Sequence, residues 1–462
     1  MEKVIKEFLV SKGYEDIEET EQTTKINEWL EWFKGNTKYH KYTVYNGSTY
    51  VNCTLKSLNL ASQLCNDLSD YIFNEKLEIT IDNETVQDKI MKCLEQNKFL
   101  ENGNLLQQYV YALGTGAYIP YLENGVLKIN YNNATTIIPL EWDNQEITSC
   151  LFYSKTKIKG GFEWYFNLHQ KTETGYTIYN EKIQEIKNKY VKVELADNIR
   201  EITSPIKTFS IVKTPDVNNQ YMGSPYGISI YGNATDNLLA TDRAYDSLDN
   251  EIALGKKRVY VKAGATKFNT DAEGNIKPIF DSNDVVYYQT PDDEKGEMIK
   301  ESSFDLRIDE ITKALQTQLN LLSKKVGLGN DGLKWENGGV KTATEIISED
   351  SDVYRRLKKQ ENIITNAITD LCYAIASLIG ITEKFNVSVF YDDSIITDTK
   401  DTRNQAMLEL NGGLISKVQY YQDVYNLGEE EAIEFARKME AERLLEAQST
   451  QKETPNEPQG EF

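Results

Sequence analysis

Residues 327–345 read GLGNDGLKWENGGVKTATE, and this stretch decides how the chain is organised. Its first part, 327–339, contains five glycines and predicts a flexible loop, because glycine adopts backbone conformations that regular elements exclude. Its last four residues, Thr342-Ala-Thr-Glu345, have the spacing of a capping box at the start of a helix. We therefore expect a glycine-rich loop that leads directly into a helix.

The helix after this loop is the longest that the sequence predicts. Apolar residues stay in helical phase from Ile346 to Leu378, and Gly380 ends the pattern. At 1.5 Å per residue, a helix over 342–379 would be about 57 Å long, so we expect it to cross several packing layers. A strand over 385–391, helices near 400–410 and 417–426, and an acidic helix near 429–447 are predicted to follow.

Two helices precede the loop and enclose a small insert. The first spans 235–254, and the second ends at Gly327. The apolar stripe of the first helix consists of Leu238, Tyr245 and Ile252, and that of the second consists of Ile308, Leu315 and Leu322. The insert between them has short strand patterns, and 256–300 contains eight basic and eight acidic residues. This pattern predicts a helical hairpin with a neutral, β-rich insert at its tip.

The first half of the chain combines both kinds of secondary structure. Helices are expected near 26–33, 58–73 and 86–98, with a strand at 77–81. Short strand patterns over 117–213, separated by turn pairs such as Asn124-Gly125, indicate a meandering antiparallel sheet. The predicted fold class is therefore α+β.

Composition excludes several classes of protein. The 462 residues carry a formal net charge of −21, whereas sequence-specific DNA recognition needs a basic surface. The five scattered cysteines and two histidines disfavour a disulfide scaffold and a Cys- or His-based metal site. Apolar runs are too short for a signal peptide or a membrane span. We expect a soluble intracellular protein without a cofactor or a metal.

No motif in the sequence indicates catalysis. The spacing of Gly327 and Gly332 matches part of a phosphate-binding loop, but Leu333-Lys334-Trp335 follows where Lys-Ser/Thr is needed. Acidic pairs at 292–293 and 392–393 are more typical of solvated loops than of metal ligands. His169 lies in a strand pattern and is interpreted as a structural residue.

Three aspartates share one face of the helix over 235–254. Asp242, Asp246 and Asp249 lie at i, i+4 and i+7, opposite the apolar stripe of that helix. A solvated face is the simpler interpretation. The alternative is an acidic wall that repels phosphate and lets nucleic acid slide past it.

Segments spread along the chain also resemble a known family. They include INEWLEWFKG (26–35), GTGA (114–117), PLEWD (139–143), GSPYGIS (223–229) and KTATEIISE (341–349). Their sequence and order are similar to those of portal proteins from tailed bacteriophages, of the type found in long-tailed phages of Gram-positive bacteria. The resemblance implies a ring of twelve subunits around a channel.

The resemblance also implies a division of each subunit. The parts are a wing over 1–234, a stem helix over 235–255, a clip over 256–303, a second stem helix over 304–326, a tunnel loop over 327–341, a long helix with a wing strand over 342–398, a helical crown over 399–448 and a disordered tail over 449–462.

Roles for single residues follow from this division. Asn330, Asp331, Lys334 and Trp335 of the tunnel loop would face DNA, and the three aspartates would line the channel. The two apolar stripes would pack between neighbouring subunits, and Lys257, Arg258 and Tyr260 of the clip would dock partners.

The implied function is non-catalytic. Double-stranded DNA would pass through the ring without sequence preference during packaging and ejection. The other implied partners are the terminase large subunit, a head–tail adaptor, the major capsid protein and the scaffolding protein. The protein would be located at the portal vertex of the virion, and in the host cytoplasm during assembly. It would have no membrane partner.

Two other classes of protein compete with this interpretation. A metal-dependent nuclease would use Asp292, Asp392 or Asp393 and would cleave DNA with magnesium or manganese. A capsid or adaptor subunit is the second alternative, although an adaptor is usually much shorter and lacks the long helix.

Overall fold

The computed structural model describes residues 2–15, 21–45, 47–73, 77–123, 125–187, 189–255, 258–262, 268–270, 276–278, 287–290, 299–302, 305–329, 332–333, 343–391, 406–410, 412, 414–425, 432–433 and 435–438. The chain forms two units, Met1–Tyr391 and Asp392–Phe462, and each is described by itself.

Helices dominate the beginning of the first unit. They are α1 (Lys3–Ser11), α2 (Glu21–Phe33), α3 (Leu60–Asp70), α4 (Glu84–Gln96) and α5 (Phe99–Leu113). Between α2 and α3, β1 (Lys41–Tyr45) and β2 (Tyr50–Thr54) form an antiparallel hairpin, and β3 (Glu78–Ile81) precedes α4. Asn83 caps α4, because its side-chain oxygen accepts a hydrogen bond from the Val86 N–H at 3.3 Å.

A long antiparallel meander follows, as predicted. Its strands are β6 (Ile137–Asp143), β7 (Glu146–Ile158), β8 (Gly161–Thr172), β9 (Gly175–Ile186) and β10 (Lys189–Val193), with β11 (Glu201–Ser204) also paired to β9. The prediction of a single meandering sheet over 117–213 is wrong, because three of these strands belong to a different sheet. A second sheet contains β4 (Thr115–Glu123), β5 (Val126–Asn133) and β12 (Ser210–Lys213).

Both faces of the meander are covered by apolar side chains. Trp164, Phe166 and Leu168 alternate along β8 and pack under α1, where the rings of Phe8 and Phe166 stack with centroids 4.7 Å apart. The other face of the sheet contributes Phe152, which packs against Phe209. The alternation of buried residues explains why the strand pattern was readable from the sequence.

His169 is a buried structural residue of β8, as the sequence predicts. Its Nε2 lies 2.6 Å from the Asn167 Oδ1, and its Nδ1 lies 3.0 Å from the Thr208 Oγ1. In the arrangement that satisfies both contacts, Nε2–H donates to Asn167 and Nδ1 accepts from the Thr208 hydroxyl. Burial lowers the pKa of His169 to about 3.

This lowered pKa predicts a loss of stability in acid. The neutral imidazole stabilises the fold above the unfolded-state pKa of 6.5, and this contribution is lost as pH falls from there towards about 3. Between pH 7.5 and 5.5, the wild-type protein should lose about 1.4 kcal/mol more unfolding free energy than a His169→Gln variant. Urea denaturation of both proteins at both pH values measures the difference. Equal losses of unfolding free energy in the two proteins would contradict a histidine that is buried in its neutral form.

A helical hairpin follows the sheets. Helices α7 (Thr235–Leu254) and α8 (Ile308–Val326) pack against each other, after a short α6 (Asp197–Arg200). Arg307 joins their ends, since its Nη2 lies 2.8 Å from the Glu251 Oε2 and its backbone N–H donates to the Glu251 Oε1 at 3.1 Å. A Cβ at Gly255 would lie 2.5 Å from the Glu251 carbonyl oxygen, a backbone atom that cannot rotate away as a side chain can, so glycine is favoured at this position.

The predicted β-rich insert lies between these helices. Its strands are β13 (Arg258–Lys262), β14 (Phe268–Thr270), β15 (Ile276–Pro278), β16 (Tyr287–Thr290) and β17 (Ile299–Ser302). In one sheet β13 is parallel to β16 and antiparallel to β17, and β14 pairs with β15. The insert therefore has its own small sheets.

The long helix is confirmed as α9 (Ala343–Leu378), which has 36 residues and extends about 54 Å. It packs on β4 and β12, where the Ser210 hydroxyl donates to the Ala367 carbonyl at 2.7 Å. After it, β18 (Val387–Phe390) pairs antiparallel with β3.

The second unit is described only in part. It contains a helix over Lys417–Tyr425, near the predicted 417–426. The predicted tail and most of the predicted acidic helix lie outside the described residues. No helix within the described parts of either unit is both long and apolar enough to cross a bilayer. The mixture of helices and sheets confirms the α+β class.

Candidate functional site

The described part of the glycine-rich loop folds back along α8. Gly327 has a φ of +80° and ends the helix, and the Leu328 N–H donates to the Ser323 carbonyl at 2.9 Å. Leu328 and Leu333 are buried, and the Gln316 side chain donates to the Leu333 carbonyl at 3.4 Å. The loop is thus anchored at its start, which the prediction of a flexible loop did not include.

The four loop residues predicted to face DNA lie outside the described residues. They are Asn330, Asp331, Lys334 and Trp335. Their contact with DNA stays a prediction.

A basic pocket lies at the base of this loop. Its volume is about 450 Å³, and it is lined by Pro215, Asp216, Lys324, Gly327, Gly329, Arg355, Arg356 and Lys359. Arg356 is held in place by Asp216, with 2.6 Å between its Nη2 and the Asp216 Oδ2. Among the described residues that line it, four side chains are cationic and one, that of Asp216, is a carboxylate, which suits the pocket to an anionic group such as a phosphate.

Gly327 and Arg356 are packed tightly in this pocket. A Cβ at Gly327 would lie 2.7 Å from the Arg356 Cδ, so the glycine is needed for both its backbone conformation and this approach. Sequence reasoning missed the pocket, because its cations come from α8 and α9 and meet only in the folded chain.

Asp242 of α7 is buried and holds a distant segment of the chain. Its carboxylate lies 2.8 Å from the His40 Nε2 and accepts hydrogen bonds from the Ser57 hydroxyl at 2.9 Å and the Leu58 N–H at 3.0 Å. Only 4% of Asp242 is exposed. Burial raises the pKa of the Asp242 carboxyl, although these three hydrogen-bonding partners act in the opposite direction.

Asp246 and Asp249 contact the same segment. Asp246 is 9% exposed and accepts a hydrogen bond from the Lys56 N–H at 3.0 Å. Asp249 is partly exposed, and its carboxylate lies 2.6 Å from the Lys56 Nζ. The prediction of an open acidic wall is therefore wrong for Asp242 and Asp246, because residues 40–58 cover that face of α7. Asp249 remains a candidate for the channel wall.

The predicted apolar stripes are divided between the interior and the surface. Leu238, Leu315 and Leu322 are buried within the chain itself, at 0–2% exposure, whereas 54% of Ile252 is exposed. The expectation that both stripes pack between subunits is therefore wrong for the three buried leucines. Tyr245 and Ile308 are half-buried, and with Ile252 they stay candidates for contact with a neighbour.

The predicted docking residues of the insert are described only as backbone. Arg258 and Tyr260 lie in β13, opposite Ser302 and Lys300 of β17, and Lys257 lies outside the described residues. Their docking role stays a prediction.

The acidic residues of the nuclease alternative also lie outside the described residues. They are Asp292, Asp392 and Asp393. Within the described segments, no group of three or more His, Cys, Asp or Glu side chains could hold a metal ion.

Comparison with known proteins gives one clear match. The model of the family described as phage portal protein, SPP1 Gp6-like, matches residues 14–454. Because the match extends over nearly the whole chain, this chain belongs to that family of portal proteins. None of the curated proteins compared with the chain matches it.

Membership of the family establishes the general function. Portal proteins are structural, non-catalytic components of the phage capsid, and they form an oligomeric ring that serves genome packaging. The resemblance read from the sequence is thereby confirmed, and an enzymatic function is excluded by the family.

Proposed function

We propose that twelve copies of this chain form a ring whose channel passes double-stranded DNA during packaging and ejection. The observation that carries the proposal is the order of elements: α7, the β-rich insert, α8, the glycine-rich loop and α9. In this assignment α7 and α8 form the stem, 256–303 the clip and 327–341 the tunnel loop. Residues 1–234 and 342–398 form the wing, and 399–448 form the crown.

The basic pocket supports a phosphate contact at the base of the tunnel loop. Phosphates repeat along DNA whatever the sequence, so contacts to them do not depend on sequence. Lys324 and Lys359 line the pocket, while the chain as a whole has a formal net charge of −21. A few cations in an acidic channel would guide DNA without holding it tightly, because screened repulsion offsets the attraction.

Docking is assigned to the clip and to the wing. The clip would bind the terminase large subunit during packaging and the head–tail adaptor afterwards, through Lys257, Arg258 and Tyr260. The neutral composition of 256–300 supports this, since an acidic surface would repel acidic partners. The wing would contact the major capsid and scaffolding proteins, with assembly in the host cytoplasm.

Deletion of 329–338 tests the tunnel loop. We expect rings of normal appearance that package little DNA, because the elements of the ring remain while the contact to DNA is lost. Electron microscopy measures ring formation, and nuclease-protected DNA in a packaging reaction measures function.

A second variant guards against misfolding of the deletion. Replacing 334–337 with Gly-Ser-Gly-Ser keeps the loop length and the buried Leu333, and it should also impair packaging if the side chains matter. Normal packaging by both variants would refute a role of the loop.

A further inference from the structure

The β1–β2 hairpin is an unusually exposed part of the first unit. Its register pairs Lys41 with Thr54 and Tyr45 with Tyr50, and within the described residues neither strand pairs with a third one. All ten side chains of the two strands are exposed except Cys53, which is half-buried. Isolated two-stranded hairpins are marginal in water, so the hairpin lacks the cover that usually stabilises a sheet.

One face of this hairpin is apolar. Tyr42 lies opposite Cys53, and Val44 lies opposite Val51, so these four side chains share a face. Tyr42, Val44 and Val51 are 40–45% exposed. We call these four residues the apolar face. The opposite face carries Lys41, Thr43, Asn52 and Thr54, with Tyr45 and Tyr50 at the tip.

The base of the hairpin is fixed firmly. The Leu55 N–H donates to the His40 carbonyl at 2.8 Å, closing the hairpin, while His40 and the Lys56 N–H contact Asp242 and Asp246. The hairpin thus leaves the subunit in a defined direction. Such preorganisation lowers the entropy cost of docking.

Charge indicates what the apolar face meets. Residues 32–66 contain four lysines and no aspartate or glutamate, in a chain of net charge −21. Lys56 pairs with Asp249 of the same chain, so the positive charge of the segment comes from Lys34, Lys38 and Lys41. Acidic surfaces of two subunits repel each other, whereas this segment is attracted to the acidic surface of another copy. The lysine on the hairpin itself, Lys41, lies opposite the apolar face, which favours a protein rather than nucleic acid against that face.

We propose that the β1–β2 hairpin is an assembly arm, which docks its apolar face on an adjacent copy of this chain in the ring. The arm goes beyond the channel function proposed above. It also assigns a role to the buried aspartates of α7, which hold the base of the arm.

A double variant, Val44→Thr with Val51→Thr, tests the arm. Threonine keeps the shape and strand propensity of valine but adds a hydroxyl that an apolar interface leaves unpaired. We expect the protein concentration at which half of the subunits are in rings to rise about tenfold or more. Native mass spectrometry and electron microscopy over a dilution series measure it.

The matched control is Val126→Thr, at an exposed valine of β5. The control should assemble as the wild type does. Circular dichroism melting checks that all variants are folded. Unchanged assembly of the folded double variant would overturn the proposal.

Cys53 provides an independent test on the native arm. It lies on the apolar face, whereas Cys65, Cys150 and Cys372 are buried. In a Cys93→Ser background, a photo-reactive maleimide is attached to a small fraction of subunits, so that most arms stay free. Irradiation should give subunit–subunit cross-links on a denaturing gel, and the further Cys53→Ser change should remove them.

Each other outcome of this experiment contradicts the arm. Cross-links confined to one subunit would show that the face is covered within the chain. Cross-links to DNA alone, in a packaging mixture, would assign the hairpin to nucleic acid instead.

Discussion

A Leu315→Asp subunit is expected to lose about 4–5 kcal/mol of unfolding free energy and to yield almost no rings. Leu315 lies in α8 with 0% exposure, so the aspartate would bring a charge into an apolar interior. The loss of rings would then follow from failure of the subunit, because the α7–α8 hairpin could not pack. Urea denaturation and the soluble yield measure the effect.

The matched control for this change is Ile252→Asp on α7. Both residues belong to the stripes that the sequence analysis placed between subunits, but 54% of Ile252 is exposed. Its variant should fold with nearly wild-type stability, and any loss of rings would report a contact between subunits. A Leu315→Asp protein that forms stable rings would contradict the packing of α8 described above.

An Asp242→Ala variant is expected to be destabilised by about 3–5 kcal/mol. The change leaves His40, Ser57 and the Leu58 N–H without their shared acceptor in a buried place. Asp242→Asn should cost less, since its amide oxygen can still accept from part of this group. Thermal and urea denaturation give the stability, and limited proteolysis near 40–58 reports release of the hairpin base.

Asp249→Ala is the control on the same helix face. Its carboxylate is 41% exposed and pairs with the Lys56 Nζ, so its removal should cost about 1 kcal/mol or less. Equal effects of the Asp242 and Asp249 changes would mean that the three aspartates are equivalent, as in an open acidic wall. That result would contradict the burial of Asp242.

Local patterns made much of the fold predictable. The bounds of α7 agree with the predicted 235–254, and α9 lies within one residue of its predicted ends, because apolar periodicity and a glycine or capping signal mark both. The meander was readable because alternate side chains of strands such as β8 are buried. The β1–β2 hairpin also had a signal that we did not use, Asn46-Gly47 between residues of high strand propensity.

Other features depend on contacts that no local pattern contains. Asp242 is separated from Ser57 by 185 positions, so helical spacing could group the aspartates but could not tell that another segment covers them. The basic pocket likewise needs Asp216 and Arg356, which are 140 positions apart, to meet. The buried leucines of the stem stripes were identified as packing residues, but their partner is the same subunit.

Helix α9 connects the glycine-rich loop to the sheet that contains β12. Its first residue follows the glycine-rich loop, and further along the Gln360 side chain and the Ala367 carbonyl are bonded to Lys213 and Ser210 of β12. An α-helix resists stretching, because every turn is closed by hydrogen bonds parallel to its axis. A force applied at the loop end of α9 is therefore transmitted along the helix to the sheet that contains β12.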